Sequence, residues 1–187
     1  AFYGFVKENA EWLEDYALFM TMKEKYHGAS WQNWSISLMM RVPEMLQGYR
    51  ESLHDMIQFH YFLQFKFFQQ WTALRSYANE RGIKIIGDVP IYVPLDSVDV
   101  WSNPAMFQLD SNGYPTAVAG CPPDSFTADG QLWGNPLYNW DLMKKDGFAW
   151  WVRRIGCALE LYDILRLDHF IGFENYYAVP YPSPNAR

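Results

Sequence analysis

Hydrophobic residues recur at helical spacing in three stretches of the chain, each bounded by residues that begin or end helices. The pattern predicts helices over 9–27, 49–81 and 147–162, because apolar residues at i, i+3 and i+4 form one buried face. Asn9 is placed to cap the first helix, and Gly28 follows its last turn. The chain is therefore expected to contain substantial helix.

The segment between the first two helices is predicted to be a linker over 29–48. Short helical pieces are expected there, broken by Pro43 and Gly48. Proline removes a backbone donor and glycine costs conformational entropy, so neither favours a continuous helix.

Two short apolar runs alternate with the helices and predict strands of a parallel sheet. Residues 83–87 are rich in isoleucine and follow the long helix, and residues 163–170 follow the last one. Both are expected to be buried strands, because parallel sheets are covered on both faces. Asp88 and Asp168 fall at their carboxyl ends, the edge at which α/β folds bind ligands.

Residues 94–140 are rich in Pro, Gly, Asn and Asp and are predicted to be mainly loop. Within them, residues 107–109 and 116–118 flank Asp110-Ser111-Asn112-Gly113, which predicts a small hairpin with an Asn-Gly turn. That turn lacks the alternating ligands and the terminal glutamate of a calcium loop. A connection of this length is typical of a functional loop.

Charge and cysteine content narrow the class of protein. The 187 residues carry a formal net charge of −6 without a block of Lys or Arg, which argues against nucleic-acid or anionic-membrane partners. No run of about 18 apolar residues predicts a membrane span. Cys121 and Cys157 form no disulfide framework, so a cytoplasmic location is expected, and no secretory signal is visible.

No metal or other cofactor is expected. The four histidines show no zinc spacing. His60 lies on the apolar stripe of the long helix with no metal-binding partner one turn away, so it is expected to be a packed interface histidine.

Aromatic residues are unusually frequent: 9 Trp, 13 Tyr and 13 Phe. Core packing accounts for most of them, whereas some could form flat platforms against which sugar rings stack. Composition does not separate these interpretations.

Arg166 and Asp168 are two residues apart, so on a strand they project to the same face. A charged pair at the end of an apolar strand must be satisfied by its own partners or by a ligand. One interpretation is an ion pair closing a barrel layer, with Asp88 as a turn residue before Pro90. The other is a site for glycoside chemistry, in which the nucleophile must be an ionised carboxylate and the neighbouring arginine favours that charged form. Spacing alone leaves both open.

Five motifs in order resemble the 4-α-glucanotransferase family (amylomaltase, also called disproportionating enzyme), which is related to the α-amylases. The resemblance covers essentially the whole chain. It rests on Gly87-Asp88-Val89-Pro90-Ile91-Tyr92-Val93, Ala119-Gly120-Cys121-Pro122-Pro123-Asp124, Gly130-Gln131-Leu132-Trp133-Gly134-Asn135-Pro136-Leu137-Tyr138, Trp150-Trp151 and Arg166-Leu167-Asp168-His169-Phe170.

The resemblance implies an α/β fold that is part of a (β/α)8 barrel with helical and loop insertions. Its expected division is a helical subdomain over 1–48 and a partial barrel over 49–187, with strands near 83–88 and 163–168 and the active-site loop over 94–140. It also implies a retaining double displacement on α-1,4-glucans and maltooligosaccharides.

The same resemblance assigns catalytic roles to three residues. Asp168 matches the nucleophile, Arg166 the cation that orients it and holds it charged, and Asp88 the carboxylate that binds sugar hydroxyls.

Substrate-binding roles follow from the resemblance as well. Asp124, Gln131 and Asn135 match the loop that folds over the glucan, and Trp133 is the candidate stacking platform. His169 matches the histidine after the nucleophile, for which a structural role is an equal alternative.

The resemblance also indicates what this chain lacks. The family's general acid/base glutamate and a third aspartate lie beyond Arg187, so we expect part of a longer enzyme that does not turn over alone. The chain carries Ile171 where the family usually has Arg, Cys121 where Val is common and Tyr177 where Trp is common. The loss of a cation at position 171 bears on hydrogen bonding around the nucleophile.

Two other functions remain as alternatives: an α-amylase-like glucan hydrolase and a non-catalytic glucan-binding relative. The Gly130–Pro136 loop disfavours the hydrolase, and retention of Asp168 and Arg166 disfavours the binding protein. An unrelated barrel fragment with a buried ion pair is disfavoured by the order of the five motifs.

Overall fold

The computed structural model describes all residues 1–187, which divide into two compact units, 1–83 and 84–187. The sequence predicted a boundary near residues 48–49, which would separate the long helix from the helices that precede it. Packing instead groups that helix with the N-terminal unit, because it contacts the first two helices of the chain.

The N-terminal unit is helical. Its helices are α1 (Phe2–Glu8), α2 (Ala10–Lys25), α3 (Ile36–Met39), α4 (Pro43–Ser52) and α5 (His54–Asn79), with a 3-10 turn at Trp31–Asn33. The first two predicted helices are confirmed as α2 and α5. The core of the unit contains several fully buried side chains, among them Leu13, Leu18 and Met22 of α2 and Leu38 of α3.

One local expectation for this unit was wrong, and a second, the capping of α2 by Asn9, holds for the position of the residue but not for its hydrogen bond. Pro43 does not break a helix but begins α4, because the first helical position needs no backbone donor. Gly48 lies within the same helix. Asn9 makes no capping hydrogen bond; its Oδ1 instead accepts from Trp12 Nε1 at 3.0 Å, and its Nδ2 donates to the Phe5 carbonyl at 2.8 Å.

The C-terminal unit is α/β and contains two sheets. Its helices are α6 (Val98–Ser102), α7 (Trp140–Lys145) and α8 (Ala149–Leu161), and its strands are β1 (Ile86–Val89), β2 (Ala117–Cys121), β3 (Gln131–Pro136), β4 (Ile164–Leu167) and β5 (Tyr177–Pro180). Strands β1 and β4 pair in parallel, whereas β2 lies between antiparallel β3 and β5. The third predicted helix is confirmed as α8.

The parallel pair agrees with the sequence in topology but not in burial. Alternate residues of β1 face outward, and Ile86 and Ile164 are 63 % and 44 % exposed, so the expectation of buried strands was wrong for one face. Gly87 faces inward, where a Cβ would lie 2.2 Å from the Tyr162 ring. Only a residue without a side chain fits there.

The predicted loop over 94–140 is more ordered than its composition indicates, since it contains α6, β2 and β3 and the first residue of α7. The hairpin turn is present: Leu109 bridges Pro115, Asp110 Oδ1 accepts from the Asn112 and Tyr114 amides, and Gly113 adopts a φ of 78°. Val118 and Val179 pack with Ala186 into a small core on the antiparallel sheet.

None of the helices combines the length and the apolar character required to cross a lipid bilayer.

Candidate active site

The candidate site lies at the carboxyl ends of β1 and β4, which the structure holds in a defined register. At the start of the pair, Asp163 Oδ2 accepts a hydrogen bond of 2.8 Å from the Ile85 amide. At its end, Asp88 lies opposite Arg166, and the Asp168 amide donates to the Val89 carbonyl at 3.2 Å. Asp88 is thus within β1, one residue before its end.

Arg166 joins the two candidate carboxylates. Its Nη1 donates to Asp88 Oδ2 at 2.7 Å, and its Nη2 donates to Asp168 Oδ1. The three side chains are between 50 % and 61 % exposed. Because one guanidinium is shared by two carboxylates, the cluster keeps a formal charge of −1, and each carboxylate has a second oxygen that can accept from a sugar hydroxyl.

Trp133 on β3 contacts His169, the residue that follows Asp168 of this cluster. The two rings meet edge to face with centroids 5.1 Å apart, and His169 directly follows Asp168 in a left-handed conformation with φ of 50°. The indole Nε1 donates to Gln131 Oε1 at 3.0 Å. The structure therefore brings Trp133, Gln131 and His169 together, and His169 directly follows Asp168 in the chain.

Asn135 and Asp124 take part in different contacts. Asn135 Nδ2 donates to the Val93 carbonyl at 2.9 Å, so it fixes the backbone that follows β1. Asp124 Oδ1 accepts from the amides of Phe126 and Thr127, both at 2.8 Å. These bonds shape the loop of Asp124 and do not reach the carboxylate cluster.

Ile171, Cys121 and Tyr177, which the resemblance singled out as unusual residues, have defined places in the structure. Ile171 is 57 % exposed in the 3-10 turn Phe170–Phe173 that follows the cluster. Cys121 ends β2 with a free thiol, and Tyr177 begins β5 and donates from its hydroxyl to the Ala186 carbonyl at 3.2 Å.

Comparison with known families identifies the family of the chain. A family model described as 4-alpha-glucanotransferase matches residues 1–187. The chain belongs to the 4-alpha-glucanotransferase family. The resemblance seen in the five sequence motifs is thereby confirmed.

Relatives named 4-alpha-glucanotransferase match at high identity but are longer. The Aquifex aeolicus 4-alpha-glucanotransferase is 51 % identical over 182 residues, which are 97 % of this chain and 37 % of the relative. The Clostridium butyricum 4-alpha-glucanotransferase is 47 % identical over 188 residues, covering 100 % of this chain and 39 % of the relative. The chain thus spans less than two fifths of their length.

Solved structures give the same result for the fold. The chain resembles amylomaltase from Streptococcus agalactiae in complex with acarbose, with a TM-score of 0.94 and 45 % identity over 99 % of this chain and 37 % of that one. Amylomaltase from Corynebacterium glutamicum, at 20 % identity and a TM-score of 0.74 over 99 % of this chain and 23 % of that one, shares the fold.

The sequence of this 4-alpha-glucanotransferase family member gave no site role to two polar residues that the structure places near the site. Tyr138 and Arg154 both donate to the Ile91 carbonyl, at 2.6 and 3.2 Å. The sequence did contain a signal for Arg154. It follows Trp150 by four residues and Trp151 by three, and on a helix this spacing places its guanidinium over both rings. No sequence pattern pointed to the hydroxyl of Tyr138.

Proposed function

We propose that this chain is the nucleophile-bearing part of a longer 4-α-glucanotransferase that moves α-1,4-glucan segments between maltooligosaccharides. The observation that supports this most directly is Arg166, whose guanidinium donates to Asp88 on β1 and to Asp168 directly after the neighbouring parallel strand β4. The names of the relatives support the same activity, and the Streptococcus agalactiae amylomaltase is in complex with acarbose.

The fold proposed for the complete enzyme is a (β/α)8 barrel in which β1 and β4 are neighbouring strands. Their parallel pairing with α8 packed on both is the unit from which such barrels are built. Asp88, Arg166 and Asp168 then lie at the carboxyl-terminal face, where barrel enzymes place their active sites.

The proposed mechanism is a retaining double displacement. Asp168 attacks the anomeric carbon of the glucan donor and forms a glycosyl ester, while a general acid outside residues 1–187 protonates the departing 4-oxygen. The same group then takes a proton from the 4-hydroxyl of an acceptor glucan, which displaces Asp168 and restores the α-linkage.

Electrostatics favour this use of the cluster. The transition state resembles an oxocarbenium ion, so positive charge develops on the sugar next to Asp168. A cluster with a formal charge of −1 stabilises that charge, and the guanidinium prevents repulsion between the two carboxylates. Asp88 has an oxygen available for the hydroxyls of the same sugar ring.

Transfer in preference to hydrolysis requires that an acceptor sugar, not water, reaches the glycosyl ester. We assign that function to Trp133, which lies in ring contact with His169 and offers an indole for stacking. Gln131 orients the indole through its hydrogen bond.

The decisive experiment is incubation with maltotriose, with glucose and longer maltooligosaccharides followed over time. The complete enzyme is expected to form both, and glucose accompanied by maltose alone would favour the hydrolase alternative. Residues 1–187 alone are expected to form neither, because one of the two catalytic carboxyl groups is absent. Robust disproportionation by the 187-residue chain would show that the general acid has been assigned wrongly.

A further inference from the structure

The backbone that leaves β1 is held by side chains from two distant parts of the sequence. Ile91 and Val93 are buried, and their carbonyls need donors. The Ile91 carbonyl accepts 2.6 Å from the Tyr138 hydroxyl and 3.2 Å from Arg154 Nη1, and the Val93 carbonyl accepts from Asn135. Ile91 lies three residues after Asp88.

Arg154 extends from α8 to the Ile91 carbonyl and packs against the rings of two tryptophans. Its guanidinium carbon lies 4.8 Å from the Trp151 ring centroid and 5.4 Å from that of Trp150. A cation over these rings is stabilised by their electron-rich faces. The Trp150-Trp151 motif, to which the proposed chemistry gives no role, thus supports a side chain directed toward β1.

A second charged residue belongs to the environment of Arg154. Burial raises the pKa of Asp99, and the positive charge of Arg154 opposes that rise. The positive charge of Arg154 thus favours the ionised form of Asp99 on α6, while its Nη1 donates to the segment after β1. Such a partly buried, planar donor fixes geometry better than a flexible ammonium group does.

Tyr138 reaches the same carbonyl from the segment that follows β3. It is almost fully buried, and burial raises the pKa of its hydroxyl above the ordinary value, so the group stays protonated and donates. Its ring stacks on Tyr92 with centroids 6.1 Å apart, and Tyr92 contacts Trp133 at 6.2 Å. Trp133 in turn meets His169.

We propose that Arg154 and Tyr138 are positioning residues that act on the catalytic centre through the Ile91 carbonyl. By fixing that carbonyl from two sides, they set the path of the backbone after β1, and with it the direction of Asp88 and the place of Tyr92 against Trp133. This inference rests on the proposed function, because it assigns a role relative to the same carboxylates and indole.

The effect expected from losing this control is kinetic. A displacement of about 1 Å at reacting groups can cost about 100-fold in rate even when the altered residue is remote from the chemistry. Removing one of two donors leaves the carbonyl one partner, so a smaller displacement and a smaller loss are expected.

The test uses the complete enzyme with Tyr138→Phe, Arg154→Lys and the control Arg153→Lys, an exposed arginine one residue away on α8. The active fraction is titrated with a fluorinated glycosyl donor that traps the nucleophile. We expect Tyr138→Phe to lower kcat for transfer about tenfold per titrated site, with KM for the donor changed less than about twofold. Arg154→Lys should lower kcat at least as far, because its charge remains but its geometry does not, and Arg153→Lys should leave kcat unchanged.

A role limited to fold stability would lower the melting temperature and the titrated fraction but leave kcat per site unchanged, and that result would overturn the inference. Should Arg154→Lys not fold, Tyr138→Phe decides, since it removes a single oxygen. An unmodified enzyme without transfer activity would instead overturn the proposed function, so the two failures are distinguishable.

Discussion

Two arginine–aspartate clusters, one in each unit, use the same chemical groups in different ways. In the N-terminal unit, Arg41 Nη2 lies 2.9 and 2.8 Å from the two oxygens of Asp15, and these side chains are only 22 % and 25 % exposed. In the C-terminal unit, Arg166 divides its nitrogens between Asp88 and Asp168, and all three are at least half exposed.

The two clusters differ in whether the carboxylate oxygens are all used by arginine, and this difference separates a structural ion pair from one that can bind a ligand. Both oxygens of Asp15 are occupied by one cation, and Arg50 lies 3.6 Å from the same carboxylate, so that cluster is closed. Sharing one cation between two carboxylates leaves acceptor capacity for a ligand. The closed cluster is also the more buried of the two, since a fully paired carboxylate tolerates the loss of water better than a carboxylate with an unused oxygen.

The largest effect that separates the clusters is expected from replacing one carboxylate in each. Asp168→Asn should lower transfer by the complete enzyme about 10⁴-fold or more, as is typical when a nucleophile is removed. Asp15→Asn should leave activity per folded molecule unchanged. Glucose release from maltotriose measures both, and comparable losses in the two variants would remove the distinction between the clusters.

The cations provide the next test. Arg166→Met should reduce kcat by about 10²-fold, the usual cost of losing an electrostatic contact to reacting groups. The free energy of unfolding should change by less than about 1 kcal/mol, because the pair is solvent-exposed. Kinetics and urea unfolding on the same preparation check the two parts, and a large loss of stability with unchanged kcat would assign Arg166 a structural role.

Arg41→Met should show the opposite behaviour. It leaves Asp15 partly buried with only Arg50 nearby, so we expect a loss of about 1–3 kcal/mol in the free energy of unfolding, between the values for exposed and buried pairs. The measurement is the urea midpoint, with Arg166→Met as the control. A shift no larger than that of the control would contradict the comparison.

Access to the open cluster is tested at Trp133. Trp133→Ala should raise the ratio of hydrolysis to transfer by a factor of a few, because water gains access to the glycosyl ester when the stacking surface is lost. Leu132→Ala is the matched control, since adjacent residues of β3 project to opposite faces. An unchanged ratio in Trp133→Ala would remove this loop from the explanation of transfer.

The smallest effect is expected at a titratable contact of the N-terminal unit, between His60 and Glu24. Burial lowers the pKa of His60 below its usual value, and the Glu24 carboxylate, 3.2 Å away, opposes the shift. The unfolded chain therefore binds a proton first as the pH falls below about 6.5, and stability decreases by at most about 1.4 kcal/mol per pH unit.

Urea unfolding at a series of pH values measures this loss. His60→Gln should flatten the pH dependence that the histidine contributes. Glu24→Gln should extend it to lower pH, because the opposing charge is removed. Identical pH profiles for the unmodified protein and His60→Gln would show that the histidine does not titrate on unfolding.

The parts of the fold that depend on local pattern could be predicted from the sequence. The spacing of apolar residues predicted α2, α5 and α8, and the two short apolar runs predicted the parallel pair and the carboxylates at its end. The burial of β1 was not predictable, because composition does not reveal what covers a face.

Non-local pairing explains what was missed elsewhere. Strand β2 pairs with β5 about 60 residues later in the chain, and β3 contains Gly134, Asn135 and Pro136, which disfavour strands locally. Such a sheet exists because its partners meet in three dimensions. For the same reason, the convergence of Tyr138 and Arg154 on one carbonyl has no signature along the sequence.

The close approach of Gly87 to the Tyr162 ring restricts how this protein can change during evolution or engineering. Even a methyl group at position 87 would collide with the aromatic ring, so the two positions can vary only together. Libraries aimed at Asp88 or its neighbours should therefore keep position 87 fixed, and a smaller residue at 162 is the first change to combine with any substitution there.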